Sequence, residues 1–182
     1  MTSHRLAILV ILTSSIAISA GSVRVRSAQE KDEAEAITAR VHGTFQDRVG
    51  GLGVLSGDMT VVRFEVRNGS VTAIGEIVGA QADSKGDVLG QVDQELAMSV
   101  GNVTSSCNQL RMDLAATDSE VLQTIVHFDK EAAGFDSRDG ATPKALGVLC
   151  KAGALLRGQV TPDALAHALN DIVAAVASKQ AR

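Results

Sequence analysis

Few residues of this chain are of types that do chemistry, and their spacing decides what they could do. Cys107 and Cys150 are the only cysteines. No Cys-x-x-Cys pattern occurs and no histidine lies close to either in sequence, so a redox pair or a thiolate metal site has little to build on. Two cysteines in an exported chain favour a structural disulfide. Bridging Cys107 to Cys150 closes a loop for which the chain-entropy model gives about 4 kcal/mol. His127 and Asp129 share a face if they lie on a strand, and a carboxylate there can orient an imidazole as a base or a metal ligand. One histidine and one carboxylate do not complete a site, and polar residues on an open strand face explain them equally well. Gly50-Gly51-Leu52-Gly53 leads into a strand pattern, not a helix, and so lacks the context of a phosphate cradle. Asp136 to Gly140 lacks the alternating acids and closing glutamate of a calcium loop and reads as a turn. The chain carries no nucleophile elbow, zincin motif or P-loop. No catalytic residue, metal ligand or cofactor is predicted, and the ligand-binding residues stay unassigned.

The elements that must position these residues begin after an export leader. Met1 to Ala20 has Arg5 in its n-region, an apolar run from Leu6 to Leu12, and small residues at Ala17, Ser19 and Ala20, the pattern of a cleaved signal peptide. Thr13, Ser14 and Ser15 dilute the run, which is short for a membrane span. Membrane contact is thus expected only during export. Gly21 to Arg40 reads as a polar N-terminal arm, rich in helix formers but without an apolar stripe. One globular domain is expected over 41–182, mostly β over 41–130 and helical over 142–180.

The composition limits the partners. The chain is 45% hydrophobic with no Trp or Tyr and four Phe, so its core must be aliphatic and it offers no stacking platform for bases. A net charge of −4 without a basic run argues against nucleic acid.

Within the domain, Val41, Gly43 and Phe45 alternate. A Gly-rich turn is expected over Arg48 to Asp58. Val62, Phe64 and Val66 then alternate with Arg63, Glu65 and Arg67, the period-2 mark of a half-buried strand. Asn68-Gly69 supplies a hairpin turn, and Gly75 and Gly79 in the returning strand suggest a bulge or a close backbone approach. A second turn falls at Ala82 to Asp87, followed by Val88 to Val92 and a strand over Leu96 to Val100. Leu110, Met112 and Leu114 form another buried face. Ala116 to Glu120 reads as a polar turn. Residues 121–130 fit a strand or a helix, and β-branched Thr124, Ile125 and Val126 favour the strand. The chain then leaves through Gly134 to a turn at Asp139-Gly140. Thr142-Pro143 and Thr161-Pro162 each place a capping hydroxyl before a helix-starting proline. The first helix should present Leu146, Leu149, Cys150, Gly153 and Leu156 on one face. Gly153 would there permit close packing. The second should present Leu165, Leu169, Ile172, Val173 and Val176. The fold class that follows is α+β: an antiparallel sheet, sandwich- or barrel-like, covered by two short C-terminal helices.

Several of these residues also carry a resemblance. Ser106-Cys107, Leu110, Met112, Leu114, Val126-His127-Phe128-Asp129, Gly140 and Leu146 to Cys150 are similar to the pattern of a family of small exported bacterial proteins with two cysteines. These are of actinobacterial type and mostly labelled hypothetical. Lys151 to Leu156 fits that family's helix and Thr60 to Gly69 its first hairpin. The chain departs at Lys130 to Gly134, polar or small where the family has a second apolar run, which puts a last strand in doubt. The resemblance implies export, a disulfide and a bacterial source, and it brings no activity.

The expected function is an exported, non-enzymatic protein, extracytoplasmic or secreted, acting by binding or as a cell-envelope component. Two alternatives stand beside it: a carrier of an apolar ligand between sheet and helices, and an enzyme with an unrecognised site near His127 and Asp129.

Overall fold

The computed structural model describes residues 36–137 and 143–177. The expected signal peptide, most of the expected polar arm, the expected turn at Asp139-Gly140 and the expected Thr142 cap lie outside these residues. Eight strands precede two helices: β1 (Thr38–Gln46), β2 (Leu52–Arg67), β3 (Ser70–Ala82), β4 (Val88–Ser106), β5 (Gln109–Leu114), β6 (Thr117–Val121), β7 (Thr124–Phe128), β8 (Glu131–Asp136), α1 (Pro143–Leu155) and α2 (Pro162–Ala177). Every strand pairing is antiparallel. The α+β class, an antiparallel sheet with two C-terminal helices, is the one read from the sequence.

The sheet runs β2-β3-β4-β5-β8-β1-β7-β6, and β2 also pairs with β1. That pairing closes a barrel, which removes two exposed edges at once. Along its other edge β1 is shared. Thr38 and Ala39 face Gly134 and Ala133 of β8, while Gly43 and Thr44 face Phe128 and His127 of β7. The wall between β4 and β1 is therefore built from β5 and β8 at one end and from β6 and β7 at the other.

Alternation fills the interior. Val41, Leu55, Met59, Ile77, Leu96, Met98, Leu114, Val126 and Phe128 are all buried, an aliphatic core with few rings. Two glycines make room where strands approach. A Cβ on Gly75 would lie 2.6 Å from the Thr60 carbonyl oxygen, and one on Gly79 would lie 2.5 Å from that of Ser56. The close-approach reading of these glycines holds, while the bulge falls on β2, between Val61 and Arg63. It shifts the inward face by one residue. Val61 and Phe64 are buried, whereas Val62 and Val66 are exposed, which corrects the shared face expected for Val62, Phe64 and Val66.

Other expectations are corrected too. Leu52 to Asp58 is strand, not turn, because β1 and β3 pair with it on both sides. Val88 to Ser106 is one strand, where two segments were expected. Thr38 to Arg40, assigned to the polar arm, opens β1 behind the buried Ile37. Ala116 to Glu120 is not simply a turn, since Thr117–Val121 pairs with β7. Residues 124–128 are strand, as the β-branched run favoured, but Leu122 and Gln123 form the turn before it. Glu131–Asp136 is the strand that Lys130 to Gly134 put in doubt; β5 and β1 supply the pairing that its small residues could not advertise.

The helices cover the end of the sheet where β2, β3 and β4 run past β1. Helix α2 packs on β2 and β3, and α1 packs on β4 and α2. Thr161 caps α2, its Oγ1 accepting from the Ala164 N–H at 3.3 Å. Beyond Thr60, β2 has no partner in β1, and Asn170 of α2 serves instead. Its Oδ1 accepts from the Phe64 N–H (2.8 Å) and its Nδ2 donates to the Phe64 carbonyl (2.9 Å). In α1 the buried line is Ala145, Leu149 and Ala152: Leu149 is buried as expected, while Ala145 and Ala152 take the places expected for Leu146 and Gly153. Gly153 permits the expected close contact: a Cβ there would lie 2.7 Å from the Ser105 carbonyl oxygen.

Candidate functional site

Cys107, in the β4–β5 turn, is bonded to Cys150 of α1, with Cα atoms 4.1 Å apart. The Ser105 hydroxyl donates to the Leu149 carbonyl at 3.2 Å beside it. The bridge fixes the first helix to the end of the longest strand, and neither sulfur is a free thiol.

His127 lies on the outer wall of β7, opposite Asp118 on β6, and its Nδ1 is 2.7 Å from Asp118 Oδ1. The carboxylate that orients it is thus Asp118, not the predicted Asp129, whose backbone N–H donates to the His42 carbonyl. His42 pairs with Glu131 at 2.9 Å. The His127 and Asp118 side chains are 58% and 67% exposed, so water competes for every bond in the pair. His167, on α2, is likewise exposed. Among the described residues no group of three or more His, Cys, Asp or Glu is arranged to hold a metal ion. No helix there is long and apolar enough to cross a membrane.

A concavity lies at the end of the barrel away from the helices. Three connections meet there: residues 47–51, 83–87 and 122–123. A cleft of about 350 Å³ opens among them, lined by Phe45, Val49, Gln81, Leu89, Leu122 and Thr124 together with Asp47, Arg48 and Asp83. Val49, Leu52, Val54, Val88, Leu89, Leu122 and Ile125 are all exposed at this end, an unusual concentration of aliphatic side chains in water. Gln81 is buried among them, its Nε2 donating to the Val121 carbonyl at 3.3 Å.

Asp47 ties two of the connections together. Its Oδ1 accepts from the Val49 and Gly51 N–H groups, at 3.0 and 2.7 Å. Its Oδ2 accepts from the Ser84 N–H (3.1 Å) and the Ser84 hydroxyl. The Ser84 hydroxyl, with backbone N–H groups of Ser84, Gly51 and Val49 behind it, holds the Asp47 carboxyl down at about 2. Asp83 organises its own loop in the same way, accepting from Lys85 and Asp87. Asp47 accepts at both oxygens and Asp83 at Oδ1, so the loops hold the polar rim of a cleft whose walls mix aliphatic and polar side chains.

Sequence reasoning gives Phe45, Asp83 and Thr124 structural places only and assigns no cleft residue a functional role. The available signal was Val49, an aliphatic residue in a turn-like segment where polar residues are usual.

Comparison with protein-family models, with curated proteins and with solved structures finds no match for the chain.

Proposed function

We propose that this chain is an exported, non-enzymatic binding protein of the cell envelope or the extracellular space, and that its binding element is the aliphatic loop end of the barrel. The observation that carries this reading is Leu122. It is 47% exposed, at φ 48°, and forms a wall of the cleft. A leucine in the left-handed region is strained by roughly 1–2 kcal/mol. Such outliers cluster at ligand clamps, where the position of the side chain matters more than the stability lost. The Cys107–Cys150 bridge is consistent with an oxidising compartment. The resemblance to small exported two-cysteine bacterial proteins adds support for export. The His127–Asp118 pair, on an open outer wall, reads as surface structure.

The test uses 1-anilinonaphthalene-8-sulfonate as a probe of the cleft. The full chain should enhance its fluorescence at native pH, and Leu89→Ser with Leu122→Asn should remove most of that enhancement while leaving the circular dichroism unchanged. Equal enhancement by both proteins would sink the reading.

A second reading has its own observation. A cleft of about 270 Å³ lies between α2 and the β1–β2 pair, lined by Ile37, Val61, Val62, Val173, Val176 and Ala177. An apolar ligand carried between sheet and helices would sit there. Native mass spectrometry of protein from its natural host discriminates the two, since Val173→Glu would expel a ligand from this groove and leave the loop end untouched.

A further inference from the structure

The loop-end cleft contains a polar group whose bonding is incomplete. Gln81 is only 2% exposed. It stands on the inward face of β3, between Leu55 on β2 and Gly90 on β4. Its Nε2 donates to the Val121 carbonyl, which can only accept, so that bond fixes which end of the amide is nitrogen. The other end is the oxygen, and Oε1 accepts from no group among the described residues. Among those residues no fully buried side-chain nitrogen or oxygen lacks a partner, so Oε1 is reached by solvent. The cleft is the concavity that Gln81 lines.

The surroundings select what can bond there. Leu122 lies over Gly90: a Cβ on Gly90 would be 2.8 Å from Leu122 Cδ1, so the missing side chain makes room for the strained leucine beside Gln81. Thr124 faces Val121 across the β6–β7 hairpin and lines the same cleft. Its hydroxyl has no partner among the described residues. Phe45, Val49 and Leu89 add hydrocarbon to the walls. An amide oxygen accepts, and a threonine hydroxyl can donate. A carboxylate has no proton for Oε1, and an ammonium has no lone pair for Thr124. A hydroxyl serves both. The volume of about 350 Å³ suits a small ligand.

We infer that the cleft binds a small aliphatic alcohol, its hydroxyl donating to Gln81 Oε1 and accepting from Thr124, its chain lying against Leu89 and Leu122. The inference rests on the reading of the loop end as the binding element and names the ligand class for it. A few placed polar groups orient the ligand in such sites, while apolar walls supply most of the contact. Gln81 discriminates, because a ligand without a donor leaves Oε1 shut away from water and unpaired.

The experiment uses the full, disulfide-bonded chain with hexanol and with its isomer methyl pentyl ether, which has the same atoms and no donor. Binding is followed by NMR at the Leu89 and Leu122 methyls and at the Gln81 side-chain amide. Hexanol should shift all three and bind about tenfold more tightly than the ether. Gln81→Leu should bind the two compounds equally, and its retained affinity for the ether shows that it is folded. Thr124→Val leaves the Gln81–Val121 bond in place and should narrow the preference too. A preference unchanged in both variants would overturn the inference. Equal binding of the two compounds by the parent protein, with shifts at Leu89 and Leu122, would overturn it and leave the cleft reading standing. Shifts elsewhere, or none from either compound, would also overturn it; the dye experiment then decides the cleft reading separately.

Discussion

The β2–β3 and β6–β7 hairpins are each closed by two residues at positive φ: Asn68 and Gly69 at 52° and 76°, Leu122 and Gln123 at 48° and 63°. The geometry is the same and the chemistry is not. Asn and Gly adopt these angles with little strain, which is why the pair is the strongest hairpin signal in a sequence. Leucine and glutamine do not. The first turn lies towards the end of the barrel that the helices cover, the second at the end left open. The contrast extends to what surrounds them. One end is sewn by a disulfide, by Asn170 on the backbone of Phe64, and by Gly153 against Ser105. The other displays aliphatic side chains on loops held by Asp47 and Asp83. Stability is concentrated at the helix-covered end, and strain is kept where the surface is unusual.

The largest effect expected from breaking this comparison is at the sewn end. Replacing Cys107 and Cys150 by serine should lower unfolding stability by about 4 kcal/mol, read as a shift of the urea midpoint. Leu89→Ser, at the open end, should leave that midpoint nearly unmoved. Asn170→Ala comes next. It leaves the Phe64 N–H and carbonyl without their partner and should lower stability by about 1–3 kcal/mol. Gly153→Ala should do similar damage, about 1–3 kcal/mol, by forcing α1 off the Ser105 carbonyl. If either variant matches the parent protein, the helices are not seated as described.

At the open end the sign reverses. Leu122→Asn with Gln123→Gly should raise the melting temperature, by relief of roughly 1–2 kcal/mol, and should weaken binding of the fluorescent probe. A turn that becomes less stable on this change would remove the contrast between the hairpins. The smallest effect concerns Asp47. Its carboxyl is depressed to about 2 from 3.8, so the stability it lends is present above about pH 4 and is lost as pH falls through about 2. In Ser84→Ala its titration, followed by NMR, should move up towards the ordinary aspartate range.

Much of the fold was legible because its strands are half-buried. The alternation of Leu110, Met112 and Leu114, the Asn68-Gly69 turn and the Thr161-Pro162 helix start are local signals, and local signals survive in one dimension. What escaped was set by distant partners. Ala133 and Phe135 are buried because β5 and β1 flank them, although Glu131 to Gly134 alone looks like a loop. The polar Thr117 to Glu120 is a strand because β7 pairs with it, which its own residues do not advertise. The bulge that turns Val62 outward answers to β3, not to β2's own pattern. The candidate site was the least legible part. His127 finds Asp118 across a strand pairing that no spacing announces, and the cleft gathers Phe45, Gln81, Leu89 and Leu122 from four separate segments.

The double pairing of β1 has a consequence for the order of assembly. Thr38 meets Gly134, and Thr44 meets His127, so the first strand cannot be enclosed until the last ones exist. Closure must wait on contacts between the two extremes of the sheet, which makes folding slow relative to a protein built of local contacts. A chain that emerges strand by strand would pass through an open sheet, its β1 edge exposed. The cysteine pair lies on the late side of that sequence, where its oxidation would lock a nearly finished barrel.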